Sequence, residues 1–217
     1  MRKEIKKNCC IALCMLTSFV LWTVVVRFVD VKAIGPYGST VGLATINQFV
    51  HGLFGVHMSL YTITDWLGLV PVGVGFGFAV LGLTQWIKRK NLLKVDYTIL
   101  VLGGFYLVVL AAYLLFESVV INHRPVLING HLEASYPSST TMLVLCVMPT
   151  AVMQLKPRIK SRGLLQCVTA IIAAFTVFMV IGRLVSGVHW LTDIVGGALL
   201  SAGLVMLYDA VSRLEQT

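Results

Sequence analysis

Six apolar stretches separated by polar connections set the pattern of this chain, over about 9–26, 66–87, 97–116, 141–155, 164–181 and 191–208. A helix needs roughly 20 apolar residues to cross the hydrocarbon core of a bilayer, and each stretch reaches or nears that length. The fourth is short, and the pattern allows a start nearer Ser138. The first follows a basic segment, as a secretory signal would. Its apolar part exceeds the roughly 7–15 residues of such a signal and no small-residue cleavage site follows, so it reads as an anchor. Between the first two stretches, 35–65 is too polar to span. Leu43, Ile46, Val50, Leu53 and Phe54 recur there at the spacing of a one-sided helix, which predicts a segment lying along the membrane interface. Gly73 and Gly77 repeat at the four-residue spacing that lets membrane helices approach closely. The pattern predicts an all-α polytopic membrane protein of six transmembrane helices, a single domain over 1–217.

Composition agrees: 58% of the residues are hydrophobic and 12% charged, far from a soluble domain. The net charge of +8 does not indicate nucleic acid, because the basic residues fall in short runs between apolar stretches instead of on one face with aromatics among them. Those runs orient the chain, since Lys and Arg collect on the cytoplasmic side. The N-terminus, the second and fourth connections and the tail hold 13 of the 17. Only Arg27, Lys32, Arg124 and Arg183 lie on the other side. Both termini are therefore expected in the cytoplasm, with 27–65, 117–140 and 182–190 outside. The five cysteines, Cys9, Cys10, Cys14, Cys146 and Cys167, all sit in apolar stretches and read as small apolar side chains.

Ionisable groups beside hydrocarbon are costly, so each calls for a partner or a task. In the last outer loop Arg183, His189 and Asp193 precede or open the sixth helix. If that helix begins near His189, His189 and Asp193 share a face one turn apart. The carboxylate would then fix the imidazole tautomer and leave the other nitrogen as nucleophile or base. Arg183 offers a planar fork of donors suited to phosphate. The preceding outer loop carries His123-Arg124-Pro125 and then Tyr136-Pro137-Ser138-Ser139-Thr140 ahead of the fourth helix. A helix start of that kind directs free N–H groups at phosphate oxygens. Each residue taken singly fits a structural role: a snorkelling arginine, a buried pair, a plain cap. Two arginines, a His/Asp turn and an anion-type cap on one face point together to a phosphate site. His51 and His57, in the interfacial segment, read as bystanders.

These residues resemble the three-part signature of the phosphatidic acid phosphatase type 2 superfamily, Lys-x6-Arg-Pro, Pro-Ser-Gly-His and Ser-Arg-x5-His-x3-Asp. The family includes lipid phosphate phosphatases, undecaprenyl diphosphate phosphatases and vanadium haloperoxidases. Arg124-Pro125 matches the first part, Pro137-Ser138 the second, and Arg183, His189 and Asp193 the third, so the core motifs span 117–193. The resemblance implies that His189 attacks phosphorus to form a phosphohistidine, that Asp193 orients it, and that Arg124, Arg183, Ser138 and Ser139 bind phosphoryl oxygens. It implies no metal and no cofactor.

The sequence departs from the signature at Glu117, where the family has Lys, at Ser139-Thr140 in place of Gly-His, and at Gly182 in place of Ser. The family's histidine at the Thr140 position protonates the leaving oxygen, and a threonine cannot. Losing a general acid costs roughly 10²–10⁴ in rate for a poor leaving group. The resemblance thus implies a lipid phosphatase favouring a good leaving group, such as a polyprenyl diphosphate, with His123 or His131 as surrogate acids. The alternative is a homologue that binds or translocates phospholipid without efficient turnover. A transporter reading fits less well, because the charges sit at helix ends and not at the bilayer midplane. The expected partners are a phosphorylated lipid and the membrane, the expected location a bacterial plasma membrane with the site on its outer face.

Overall fold

The computed structural model describes residues 2–214. It is helical throughout: α1 (Arg2–Phe28), α2 (Ala44–Phe54), α3 (Met58–Leu67), α4 (Leu69–Arg89), α5 (Tyr97–Ser118), α6 (Ser139–Leu155), α7 (Arg162–Val185) and α8 (Leu191–Ser212). Among the described residues, five helical segments are long and apolar enough to cross a membrane, with α3 and α4 counted as one. The remaining apolar helix, α6, has 17 residues and starts at Ser139 with Ser138 as its N-cap.

α8 is the central post. Most of its apolar window is buried, against less than a quarter in each of the other spans, and it packs on α1, α5 and α6. Lipid tails are as apolar as leucine, so helices associate in a bilayer through close packing of small residues and not through hydrophobic transfer. The α8 sequence supplies these. A Cβ at Gly203 would stand 2.7 Å from Leu16 on α1, and one at Gly196 would stand 2.7 Å from the Tyr136 ring. The outer surfaces are correspondingly apolar, with Leu107, Ile171 and Phe76 among the exposed side chains.

The close approach expected of Gly73 and Gly77 is not found: a Cβ at either would meet nothing within 4 Å. On α4 the tight positions are Gly82, 3.0 Å from Ile99, and Gly75, 3.5 Å from Tyr106. The four-residue spacing therefore does not mark the side of α4 on which its glycines are approached.

The segment expected as one interfacial helix forms two, α2 and α3, broken at Gly55, whose φ of 70° ends the first. α2 turns its apolar side outward, exposing Phe49 and Leu53, and buries Ala44 and the polar Asn47. That inversion suits a helix with lipid outside and polar loops beneath.

Polar contacts gather at the two ends of the bundle. At one end Arg89, Asp96, Arg158 and Gln154 interact, as do Asn8 and Asp209. At the other, the connections 29–57, 119–138 and 186–190 meet. The cysteines are unpaired; Cys146 is buried and the other four are exposed on the helices.

Candidate active site

Everything at this second end is built around the start of α8. The helix begins at Leu191, the start read from the apolar stretch, and His189 stands ahead of it with Trp190 at the N-cap, so His189 and Asp193 do not share one helical face. Asp193 is the third residue of the helix, and its Oδ2 accepts from the Trp190 backbone N–H at 2.9 Å. A carboxylate at this position satisfies a free helix N–H and sits at the positive end of the dipole. The same oxygen lies 3.5 Å from His189 Nδ1. The carboxylate that caps the helix therefore also faces the imidazole, without a hydrogen bond to it among the described residues. The turn is fixed from behind by Gly187, whose φ is +69° and whose missing side chain lets the Gly55 carbonyl approach.

His189 is 3% exposed. Its Nε2 lies 3.1 Å from Arg124 Nη1. Since guanidinium only donates, Nε2 must accept, which leaves the imidazole proton on Nδ1 facing Asp193. Burial holds the His189 pKa well below its ordinary value, and the Arg124 and Arg183 charges push the same way. The imidazole is neutral with its lone pair on Nε2.

Arg124 reaches this point from the connection after α5. Its backbone N–H donates to the Glu133 carbonyl at 3.0 Å, and its Nε lies 3.0 Å from the Glu133 carboxylate. Tyr136 anchors the connection, stacking on Phe19 of α1 and sharing a 2.7 Å hydrogen bond with Thr23. Burial raises the Tyr136 pKa, so the phenol stays protonated. The fully buried Asn47 ties α2 to α8: its Nδ2 donates to Thr192 Oγ1 at 3.0 Å and its Oδ1 accepts from the Thr192 N–H at 3.2 Å. Asn122 adds donors toward Thr192 Oγ1 at 3.4 Å and Asp193 Oδ1 at 3.5 Å.

A cavity of about 250 Å³ opens in front of His189, lined by Arg124, Glu117, Glu133, Ser135, Pro137 and Ser139 among others. Ser135, on its wall, is buried beside the Asp193 carboxylate, and Ser138, also buried, caps α6 just outside the lining. Beside it lies a larger, apolar cavity of about 560 Å³ between α4, α5 and α6. The two share Tyr113, Ser139 and Met142.

Of the residues picked out from sequence, Arg124, His189, Ser139 and Glu117 come together around the polar cavity, with Asp193 behind His189 and Ser138 at the N-cap of α6. Arg183 lies alongside without lining it. Its guanidinium donates to Thr140 Oγ1 at 2.7 Å and Thr64 Oγ1 at 3.4 Å, pairs with Asp65 at 3.4 Å and stacks 5.0 Å above the Tyr61 ring. Thr140 borders the apolar cavity. His123 contributes its backbone carbonyl, 2.7 Å from Trp190 Nε1, and His131 closes an exposed turn with Ile128. Neither lines the polar cavity.

Sequence reasoning did not find Glu133, Asn47 or the Tyr61-Thr64-Asp65 clasp, and it gave Asn122, beside His123 and Arg124, no role. The signal was available for Asp65, an acid at the mouth of an apolar span. His51, read as a bystander, in fact lies 3.2 Å from the Gly187 carbonyl and packs against Trp190.

Comparison with known proteins points the same way. The model of the PAP2 superfamily matches residues 117–214. No curated protein matches by sequence. Among solved structures, the fold is similar to that of a transmembrane PAP2 type phosphatidylglycerolphosphate phosphatase from Bacillus subtilis. The TM-score is 0.54 at 19% identity, over 92% of this chain and 94% of that one.

Proposed function

Because the chain belongs to the PAP2 superfamily, we propose that it is a membrane lipid phosphatase in which His189 is the nucleophile. The reading is carried by one observation: a buried imidazole between Asp193 and Arg124, its Nε2 bonded to the guanidinium and its ring lining a polar cavity. In the structure Arg124 occupies the Nε2 lone pair. A phosphoryl group entering the cavity takes the guanidinium's donors and frees that lone pair for attack. Backbone N–H groups at the start of α6 and the Ser138 and Ser139 hydroxyls receive the other oxygens. Nε2 bonds to phosphorus as the bond to the leaving oxygen breaks. Asp193 offsets the positive charge on the imidazole. Water then attacks the phosphohistidine, releasing inorganic phosphate and restoring neutral His189.

The leaving oxygen departs without a histidine to protonate it. Thr140 is bound to Arg183, and neither His123 nor His131 lines the cavity. This favours a lipid diphosphate, whose leaving group is itself a phosphate, over an alkyl monoester. The apolar cavity that shares Tyr113 and Ser139 with the site suits the tail. With the basic connections in the cytoplasm, the site faces the outer side.

Purified protein in detergent should release phosphate from a polyprenyl diphosphate without added Mg²⁺, and His189→Ala should remove the activity. Full activity in that variant would overturn the assigned nucleophile. An inactive wild type that still binds the diphosphate would favour the binding or translocating alternative.

A further inference from the structure

Away from His189, a cavity of about 490 Å³ lies between α4, α6 and α7, with α4 and α7 both packed on α6. Its walls are apolar, Val74, Leu81, Met148 and Phe175 among them, and its one ionisable lining residue is Arg158. It follows α6 from Met148 to Leu155, the half of that helix remote from Ser139, and ends at the connection that carries Arg158. Val70 and Ile171 also line it and are 41% and 63% exposed, so it opens sideways through the apolar surface of the bundle. A space of this kind has no polar groups along its length to hold water. In a bilayer, a hydrocarbon tail fills it.

Charge decides which head group that tail carries. The connections 88–96 and 156–162 hold eight Lys and Arg against one acid, Asp96. Asp96 is shared between two guanidiniums, Arg89 at 3.1 Å and Arg158 at 3.5 Å. One carboxylate cannot neutralise both, so positive charge remains at the end of the apolar cavity. Arg158 Nη1 donates to the Gln154 carbonyl at 2.6 Å and to its Oε1 at 2.7 Å, which is a helix-end cap. Its Nη2 has only the longer contact to Asp96, and the side chain is 28% exposed, within reach of a ligand. Lys156, Lys160 and Arg162 stand exposed beside it. We propose that this cavity binds an anionic phospholipid from the leaflet on the side of the basic connections, one acyl chain along α6 and the phosphate on Arg158. Basic pockets between membrane helices take lipid heads in this way. The cavity shares no lining residue with the one at His189, and the inference does not depend on hydrolysis.

The test titrates phosphatidylglycerol and phosphatidylcholine of identical tails into the full chain in detergent and counts bound lipid by native mass spectrometry. Both are phosphodiesters, and they differ in the choline cation, which would face Lys156, Lys160 and Arg162. Phosphatidylglycerol should bind about fivefold more tightly, roughly what one basic residue adds at an anionic lipid surface. Arg158→Gln should remove the preference, Arg158→Lys should keep most of it, and Arg124→Gln should leave it intact. Gly77 lines the cavity, and a Cβ there would meet nothing within 4 Å. Gly77→Leu should therefore fold and, by filling the space of the tail, weaken phosphatidylglycerol binding. Thermal unfolding checks each variant. Equal affinity for the two lipids would overturn the proposal, as would a preference that survives Arg158→Gln. A preference abolished by Arg124→Gln would put the lipid in the polar cavity instead and overturn it too. Should Arg158→Gln not fold, undiminished binding in Gly77→Leu is the result that rejects the site.

Discussion

His189 owes its chemistry to being enclosed. Burial and two nearby guanidiniums depress its pKa well below 6.5, which keeps the imidazole unprotonated at neutral pH, as the proposed nucleophile must be. The sign of the pH dependence follows. Below pH 6.5 the unfolded chain takes up a proton on this residue and the folded chain does not, so its contribution to stability falls as pH drops through that range. Activity should persist on the acid side, with the acidic limb of kcat/KM lying below pH 6.5. A limb at or above 6.5 attributable to His189 would contradict the enclosed, neutral imidazole. Thr140 is the matching deficiency. Thr140→His should raise kcat on alkyl monoesters far more than on diphosphates, because only the former need a proton on departure. An equal gain on both would mean that the substitution acts by reshaping the Arg183 contact.

At the scale of elements, the site depends on how α2 and the 119–138 connection hold the first turn of α8. Asn47→Ala would remove the bonds to the Thr192 N–H and Oγ1, leaving Asn122 as the remaining side-chain partner and a buried donor unpaired, at about 1–3 kcal/mol. The expected result is a lower unfolding temperature together with a reduced kcat. Unchanged values of both would show that α2 is not a brace. Gly196→Leu should be harsher, since the Tyr136 ring already occupies the space where its side chain would begin. It should prevent assembly of a stable, monodisperse protein, as size-exclusion in detergent would report.

These elements also show what could be read from the sequence. The spans of α1, α4, α5, α7 and α8, the start of α6 near Ser138 and the nearness of Arg124 to His189 follow from apolar runs, a Pro-Ser cap and charges at helix ends. The break between α2 and α3 and the packing face of α4 do not. Each is decided by which side of a helix meets lipid and which meets protein, and an apolar pattern looks the same for either. Glu133 and Asp65 were hidden for another reason: their meaning depends on an arginine distant in sequence.

For the whole molecule, polar residues are sorted to two ends, the Arg89-Asp96-Arg158 group at one and the His189 cluster at the other. A green fluorescent reporter fused after the last residue should fluoresce, and an alkaline phosphatase fused there should stay inactive, because the tail lies at the end carrying the basic connections. The reverse result would place the site in the cytoplasm.

The helix that seals the bundle is also the one whose first turn stands against His189. Handling is therefore coupled to performance: a detergent that slides between α1 and α8 loosens the footing of Asp193 before it melts any helix. Turnover should then fail while helical circular dichroism remains intact, and lipid that restores lateral pressure on those two helices should bring it back.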